Sequence, residues 1–141
     1  MLKVVIDTNV LVSALLKPDS VPELILSLIL EGEILLCLTD PIATEYEEVL
    51  KREKFRKLDH KKVKTLLSRL RSQAQWVIPK IHLRVTTADP EDNKFLECAK
   101  EAEANFLITG NIKHFPIGKF EEIIILNPSQ FLTVMAEMLD L

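Results

Sequence analysis

The sequence predicts an α/β fold, a three-layer α/β/α sandwich built on a parallel central sheet. Two observations carry this expectation. Short aliphatic, β-branched runs alternate along the chain with helical segments of ten or more residues, and strands connected in that way lie parallel with helices on both faces. The strand candidates are also apolar throughout rather than at every second position, as strands buried on both faces are.

Residues 2–6 form the first such run, and Asp7 ends it. A helix begins next, with Asn9 placed either to cap it or to serve a site. Residues 21–31 read as a helix with Pro22 in its first turn and Gly32 just past its end. Residues 34–38 are a second strand, and 41–51 a helix with Ile42, Tyr46, Val49 and Leu50 on one face. Residues 61–75 are strongly amphipathic: Val63, Leu66, Leu67 and Leu70 face inward and the basic residues outward. A short strand follows at 76–78, with an extended piece near Val85. Asp89-Pro90-Glu91-Asp92 is a helix start, with Asp89 capping, Pro90 at the first position and acids in the first turn; that helix runs to about Glu103. Strands at 106–109 and 123–126 and a helix at 128–138 complete the chain.

A chain of 141 residues without a Ser/Gly linker, repeat or low-complexity tract implies one domain over 1–141. With 48% hydrophobic and 28% charged residues the composition is that of a soluble globular protein. The apolar stretches fall short of the roughly 20 residues that span a bilayer, and the run before Asp7 is too short for a signal peptide, so a cytoplasmic protein is expected. Cys37 and Cys98, far apart in sequence, are expected as buried reduced thiols. The net charge of −3 conceals an asymmetry. Between Lys51 and Arg71 ten Lys and Arg face only Glu53 and Asp59, whereas the remainder carries eight basic and nineteen acidic side chains. Such a stripe is either a solvated helix face or a flank that holds phosphates, with Lys51, Arg52, Lys54, Arg56 and Lys57 leading it.

Sites in open parallel sheets form beyond the carboxyl ends of the strands. Asp7-Thr8-Asn9 and Thr109-Gly110-Asn111 follow two of them. On a helical wheel Glu45 and Asp92 border the apolar stripes of their helices, where a half-buried site would draw on them. Each has a plainer role open to it: Asp92 as a dipole-favoured acid, Glu45 as a solvated one, Thr109 and Asn111 as turn residues, His114 in packing or at the surface. Together they change the balance. Two carboxylates about 5 Å apart repel by roughly 3 kcal/mol at an effective dielectric of about 20, large against a total stability of about 5–15 kcal/mol. Three survive together if one is protonated or a cation neutralises them, and all-oxygen ligands suit Mg²⁺ or Mn²⁺.

Val4-Val5-Ile6-Asp7-Thr8-Asn9-Val10-Leu11 resembles the opening strand of PIN domains, Glu45 their second acidic position, and Asp92 with Phe95 and Ala99 their third. Phe106-Leu107-Ile108-Thr109-Gly110-Asn111 resembles the segment that usually ends in Thr-Gly-Asp. The likeness is collinear over about residues 2–127, and its continuation through Ile112-Lys113-His114-Phe115-Pro116 looks like a toxin-like subgroup. The resemblance implies a PIN-like fold and an Mg²⁺- or Mn²⁺-dependent RNA endonuclease that forms homodimers, as the toxin of a toxin–antitoxin pair restrained by a partner protein. Asp7, Glu45 and Asp92 would be catalytic metal ligands. Asn9 and Asn111 would position water, and Thr109 would support the ligands. Asn111 departs from the family's fourth acid and brings no charge, which weakens a second metal position unless Asp89 or Glu91 compensates. A catalytically weak or inactive module that binds RNA or protein is therefore the alternative. A phosphatase of the haloacid dehalogenase type is disfavoured because Asn9 stands where it needs a second Asp.

Overall fold

The computed structural model describes residues 1–84, 90–116 and 118–138. Six strands form one sheet: β1 (Lys3–Ile6), β2 (Leu35–Leu38), β3 (Gln75–Trp76), β4 (Phe106–Ile108), β5 (Lys119–Phe120) and β6 (Ile123–Leu126), in the order β3-β2-β1-β4-β6-β5. All neighbours are parallel except β5 and β6. The helices are α1 (Thr8–Leu16), α2 (Val21–Leu30), α3 (Asp40–Leu50), α4 (His60–Gln73), α5 (Asn93–Ala102) and α6 (Pro128–Met138). Successive side chains of a strand point to opposite faces, yet Val4, Val5 and Ile6 are all buried, so helices cover both sides of β1. The expected α/β/α sandwich is the fold observed.

Local chemistry sets most boundaries. Ser20 accepts the Glu23 N–H at the start of α2, and Thr39 accepts the Ile42 N–H at the start of α3, where Pro41 adds no orphan donor. Gly32 sits just past α2 at φ +78, a conformation cheap only for glycine. α5 ends at Ala102 with Glu103 left-handed at φ 55.

Differences from the sequence reading have identifiable causes. The helix after Asp7 is apolar on every side (Val10, Leu11, Val12, Ala14, Leu15, Leu16), so no period announced its length. Asn9 does not cap it; Asp7 holds the cap position and Asn9 lies inside the first turn. The basic segment 51–71 is not one helix. A single 3₁₀ turn at Glu53–Phe55 intervenes, and Asp59 caps α4 by accepting from Lys61 and Lys62 N–H. The third strand is Gln75–Trp76 only, soon followed by Pro79, which cannot donate to a ladder. β5, two residues at the sheet edge, is too short to show alternation. Pro90–Asp92 is a 3₁₀ turn leading into α5. The extended piece near Val85 and the Asp89 cap fall outside the described residues.

Cys37 and Cys98 are free and buried, and burial pushes the Cys37 thiol up to about 11 and that of Cys98 further. No helix among the described residues is long and apolar enough to cross a membrane. One tie fixes α3 to the sheet: the buried Tyr46 hydroxyl donates to the Ile6 carbonyl at 2.6 Å, at the last residue of β1. Tyr46→Phe strands that carbonyl and is expected to cost about 1–2 kcal/mol. A lowered urea midpoint at unchanged slope checks it; an unshifted midpoint contradicts it.

Candidate active site

From β1 the chain moves outward to β2 and β3, then returns to place β4 on the other side of β1. A crevice opens at such a reversal, beyond the carboxyl ends of the two strands. Ile6 pairs with Ile108, so Asp7 and Thr109 are the next residues along. Asp7 is only 6% exposed and Thr109 is fully buried. The Thr109 hydroxyl donates to Asp7 Oδ2 at 2.7 Å and accepts the Asn111 N–H at 3.0 Å. Asn9 clamps the same place from α1: its Nδ2 donates to Asp7 Oδ2 at 3.3 Å, and its Oδ1 accepts the Gly110 N–H at 3.1 Å. A Cβ at Gly110 would lie 3.3 Å from that Oδ1, so any larger residue would make the Asn9 amide give by a few tenths of an ångström.

Glu45 enters from the middle of α3, next to the anchored Tyr46. Its Oε2 accepts the Thr8 hydroxyl and its Oε1 meets the Lys94 ammonium at 2.5 Å. Lys94, on the first turn of α5, also lies 3.5 Å from Glu91 and 5.7 Å from the centre of the Phe95 ring. Burial pulls its pKa down, but Glu45 and Glu91 outweigh burial and the net direction is up. Asp92 is mostly buried, with its Oδ2 3.1 Å from His114 Nδ1.

The carboxylates share one field. Burial first, then the charges of Asp92 and Glu45, raise the Asp7 carboxyl from 3.8 to about 6, against the opposing hydrogen bonds from Thr109 and Thr8. Among the described residues, however, no three Asp, Glu, His or Cys side chains stand close enough to hold one ion as they are placed. Glu45 is turned to Lys94 and Thr8, Asp92 to His114, and Asp7 to Thr109 and Asn9. The donor set nevertheless fits a hard divalent cation: the oxygens come from carboxylates, and the hydrogen bonds to Asp7 come from a neutral hydroxyl and a neutral amide.

The remaining expected residues are spread out. Asn111 is exposed and joins the cluster through its backbone N–H to Thr109. Lys51, Arg52, Lys54, Arg56 and Lys57 are exposed beyond the far end of α3, Lys51 about 9 Å along the helix axis from Glu45. The structure does not bring them to the acids. Arg56 pairs with Glu53 at 2.9 Å, and Lys54 stands over the Phe55 ring. Thr8, Lys94 and His114, by contrast, were not foreseen as site residues. Thr8 and Lys94 stand one and two residues from predicted acids, and His114 three residues from Asn111, but proximity along the chain did not say which would turn inward. An open cleft of about 790 Å³ adjoins the cluster, lined by Asp40, Thr44, Glu45, Arg84, Glu91 and Lys94 among others.

The protein is thus an α/β/α sandwich with acidic side chains in one field at the switch point of its sheet. Residues 3–113 match the PIN domain family, and the chain belongs to it. An uncharacterized protein of Methanocaldococcus jannaschii is 35% identical over 112 residues, covering 78% of this chain and 71% of its own length. Among solved structures, VapBC2 from Rickettsia felis bound to a DNA fragment from their promoter is similar in fold, with a TM-score of 0.58 at 17% identity, covering 89% of this chain and 98% of that one.

Asp7 has a consequence for stability without metal. A carboxyl with a raised folded pKa binds its proton more tightly folded than unfolded. Its contribution is therefore most favourable below about 4, declines as the pH rises through about 6, and stays unfavourable above that. Asp7→Asn removes this term, so the metal-free variant should be more stable than wild type at pH 7.5, by up to about 3 kcal/mol, with the gain vanishing near pH 4. Urea titrations at both values check it; a variant less stable at pH 7.5 contradicts it.

Proposed function

We propose that the protein is a divalent-metal-dependent endoribonuclease, using Mg²⁺ or Mn²⁺ to hydrolyse RNA phosphodiesters, and that it is the toxin of a toxin–antitoxin pair. One observation carries the reading: a buried Asp7 carboxylate at the switch point, raised to about 6 by burial first and then by the charges of Asp92 and Glu45. A fold does not keep three acids together at such a cost without something to neutralise them. Membership in the PIN-domain family, whose members are generally nucleases with divalent ions, supports the same conclusion.

In this reading Asp7, Glu45 and Asp92 hold the ion, which when bound activates water and stabilises charge on the phosphate. Thr109 and Asn9 fix the Asp7 carboxylate by donating to its Oδ2, and Thr8 fixes Glu45. The Asn111 amide orients water at the mouth. The cations at 51–57, exposed past the end of α3, hold a flanking stretch of a longer strand through salt-sensitive contacts. A cognate antitoxin partner is proposed by analogy with the toxin–antitoxin neighbour, and a cytoplasmic homodimer by family habit.

A second reading is favoured by Asn111 and by the partners each carboxylate already has: a PIN-fold module that binds RNA or protein without cutting. Cleavage separates the two. Wild type should cut single-stranded RNA in Mn²⁺ and stop with EDTA, and Asp7→Asn should be slower by at least about 10²-fold while still melting cooperatively. Equal rates for wild type and variant at equal purity would end the nuclease reading.

A further inference from the structure

We infer that the groove between α3 and α4 is a docking track for single-stranded RNA, in which Arg71 and Trp76 stack a base and Lys51 and Lys64 meet phosphates. The inference rests on reading RNA as the substrate, and it names where the strand lies beyond the acids. α3 is a ridge between two hollows. Thr44, Glu45 and Glu48 line the acidic cleft on one side, and Glu47, Leu50 and Lys51 line a groove of about 460 Å³ on the other. The floor of that groove is apolar, from Leu50, Val63 and Leu67. Its rim is cationic, from Lys51, Lys64 and Arg71, with His60 at the start of α4. Glu47 is the one acid among its described lining residues, and the Arg71 guanidinium lies 3.6 Å from it. Asp59, beside His60, is taken up in capping α4, and Glu53 pairs with Arg56.

A row of cations by itself is an ordinary solvated helix face. The second observation is the Arg71–Trp76 pair. The guanidinium carbon stands 5.0 Å from the centre of the Trp76 ring, and the indole N–H donates to the Arg71 carbonyl at 2.8 Å. Both planar groups are thus held in place, yet Trp76 is 38% and the Arg71 side chain 47% exposed. Indole and guanidinium faces are surfaces on which unpaired bases stack. The sheet puts this pair on the same rim as the acids. Counting on from the Val4–Leu36 partnership, Leu38 stands level with Ile6, and Leu38 pairs with Trp76. Two strand spacings of about 4.8 Å each place Trp76 about 10 Å across the carboxyl edge from the strand end that carries Asp7. From there the groove follows α4 from Arg71 back to His60, about 16 Å along the helix axis. An acidic amphipathic helix of a partner protein would also find an apolar floor and a cationic rim here. The stacking pair, on one rim with the acids, favours a nucleic-acid strand.

Trp76 is the chain's one tryptophan, so its fluorescence reports on the track directly. A single-stranded RNA of about 12 nucleotides, titrated in EDTA so that nothing is cut, should quench it. The RNA duplex of the same sequence should not, because its bases stay stacked on one another. Affinities of variants follow from the anisotropy of the same strand carrying fluorescein. Trp76→Leu should bind at least about five-fold weaker, and Trp76→Phe close to wild type. Lys64→Gln, on the exposed face of α4, should flatten the slope of log affinity against log salt by about 0.7. No quenching by the single strand, equal quenching by the duplex, an unchanged affinity in Trp76→Leu or an unchanged salt slope in Lys64→Gln would overturn the inference. A groove that receives a protein segment instead would give those same results. If Trp76→Leu does not fold, the quenching and the Lys64→Gln slope decide it. Cleavage in Mn²⁺ is scored separately. RNA held on the track and never cut would overturn the nuclease reading and leave the track standing; RNA cut by wild type without quenching would do the reverse.

Discussion

Asp7 is a carboxylate at the end of a strand covered on both faces, and the neighbouring elements are arranged around the cost of keeping it there. A charge in that position loses water, and two acids nearby add repulsion to the loss. The protein offsets part of this with hydrogen bonds from Thr109, which is itself fully buried, and from Asn9. Each of these is secured in turn: Thr109 by Asn111 N–H, Asn9 by Gly110 N–H. The loops after β1 and β4 are therefore locked together by a network centred on one carboxylate.

The topology decides which side chains meet there. Because β1 and β4 are neighbours with the chain leaving in opposite directions, their ends form the crevice; α3, after β2, delivers Glu45 to it, and the 3₁₀ turn that leads into α5, before β4, delivers Asp92. The Tyr46 bond to Ile6 sets how deep Glu45 enters. Lys94 and His114 then define the resting arrangement, each holding one acid away from a common centre. The acids are thus close enough to perturb one another, while no three described acidic, His or Cys side chains stand close enough to hold one ion as placed.

Family membership and fold likeness carry different weight. The match over residues 3–113 assigns the chain to the PIN domain family, whereas a neighbour at 17% identity speaks for the fold alone. Chemistry has to be argued from the site, since one fold hosts many activities. Two residues here depart from a plain acidic cluster, the neutral Asn111 and the cationic Lys94.

The elements and the acids were legible along the chain because both depend on local rules. Apolar runs mark buried strands, Pro41 and Gly32 punctuate helices, and Asp7 ends an apolar strand where a charge needs a partner. The length of α1, apolar on every side, and the two-residue β5 escaped because neither carries a period. The partners of the acids escaped for a different reason. Thr8 against Glu45, Lys94 against Glu45 and His114 against Asp92 join residues 22 to 49 positions apart across separate elements, and no local pattern marks them. The sequence alone determined an α/β sandwich and which acids stand at the ends of its elements, since hydrophobic periodicity and capping act within a few residues. Only the tertiary structure decided which cations and hydroxyls those acids face and that the 51–57 cations lie away from them, because such pairings depend on how the sheet order and helix directions bring distant segments together.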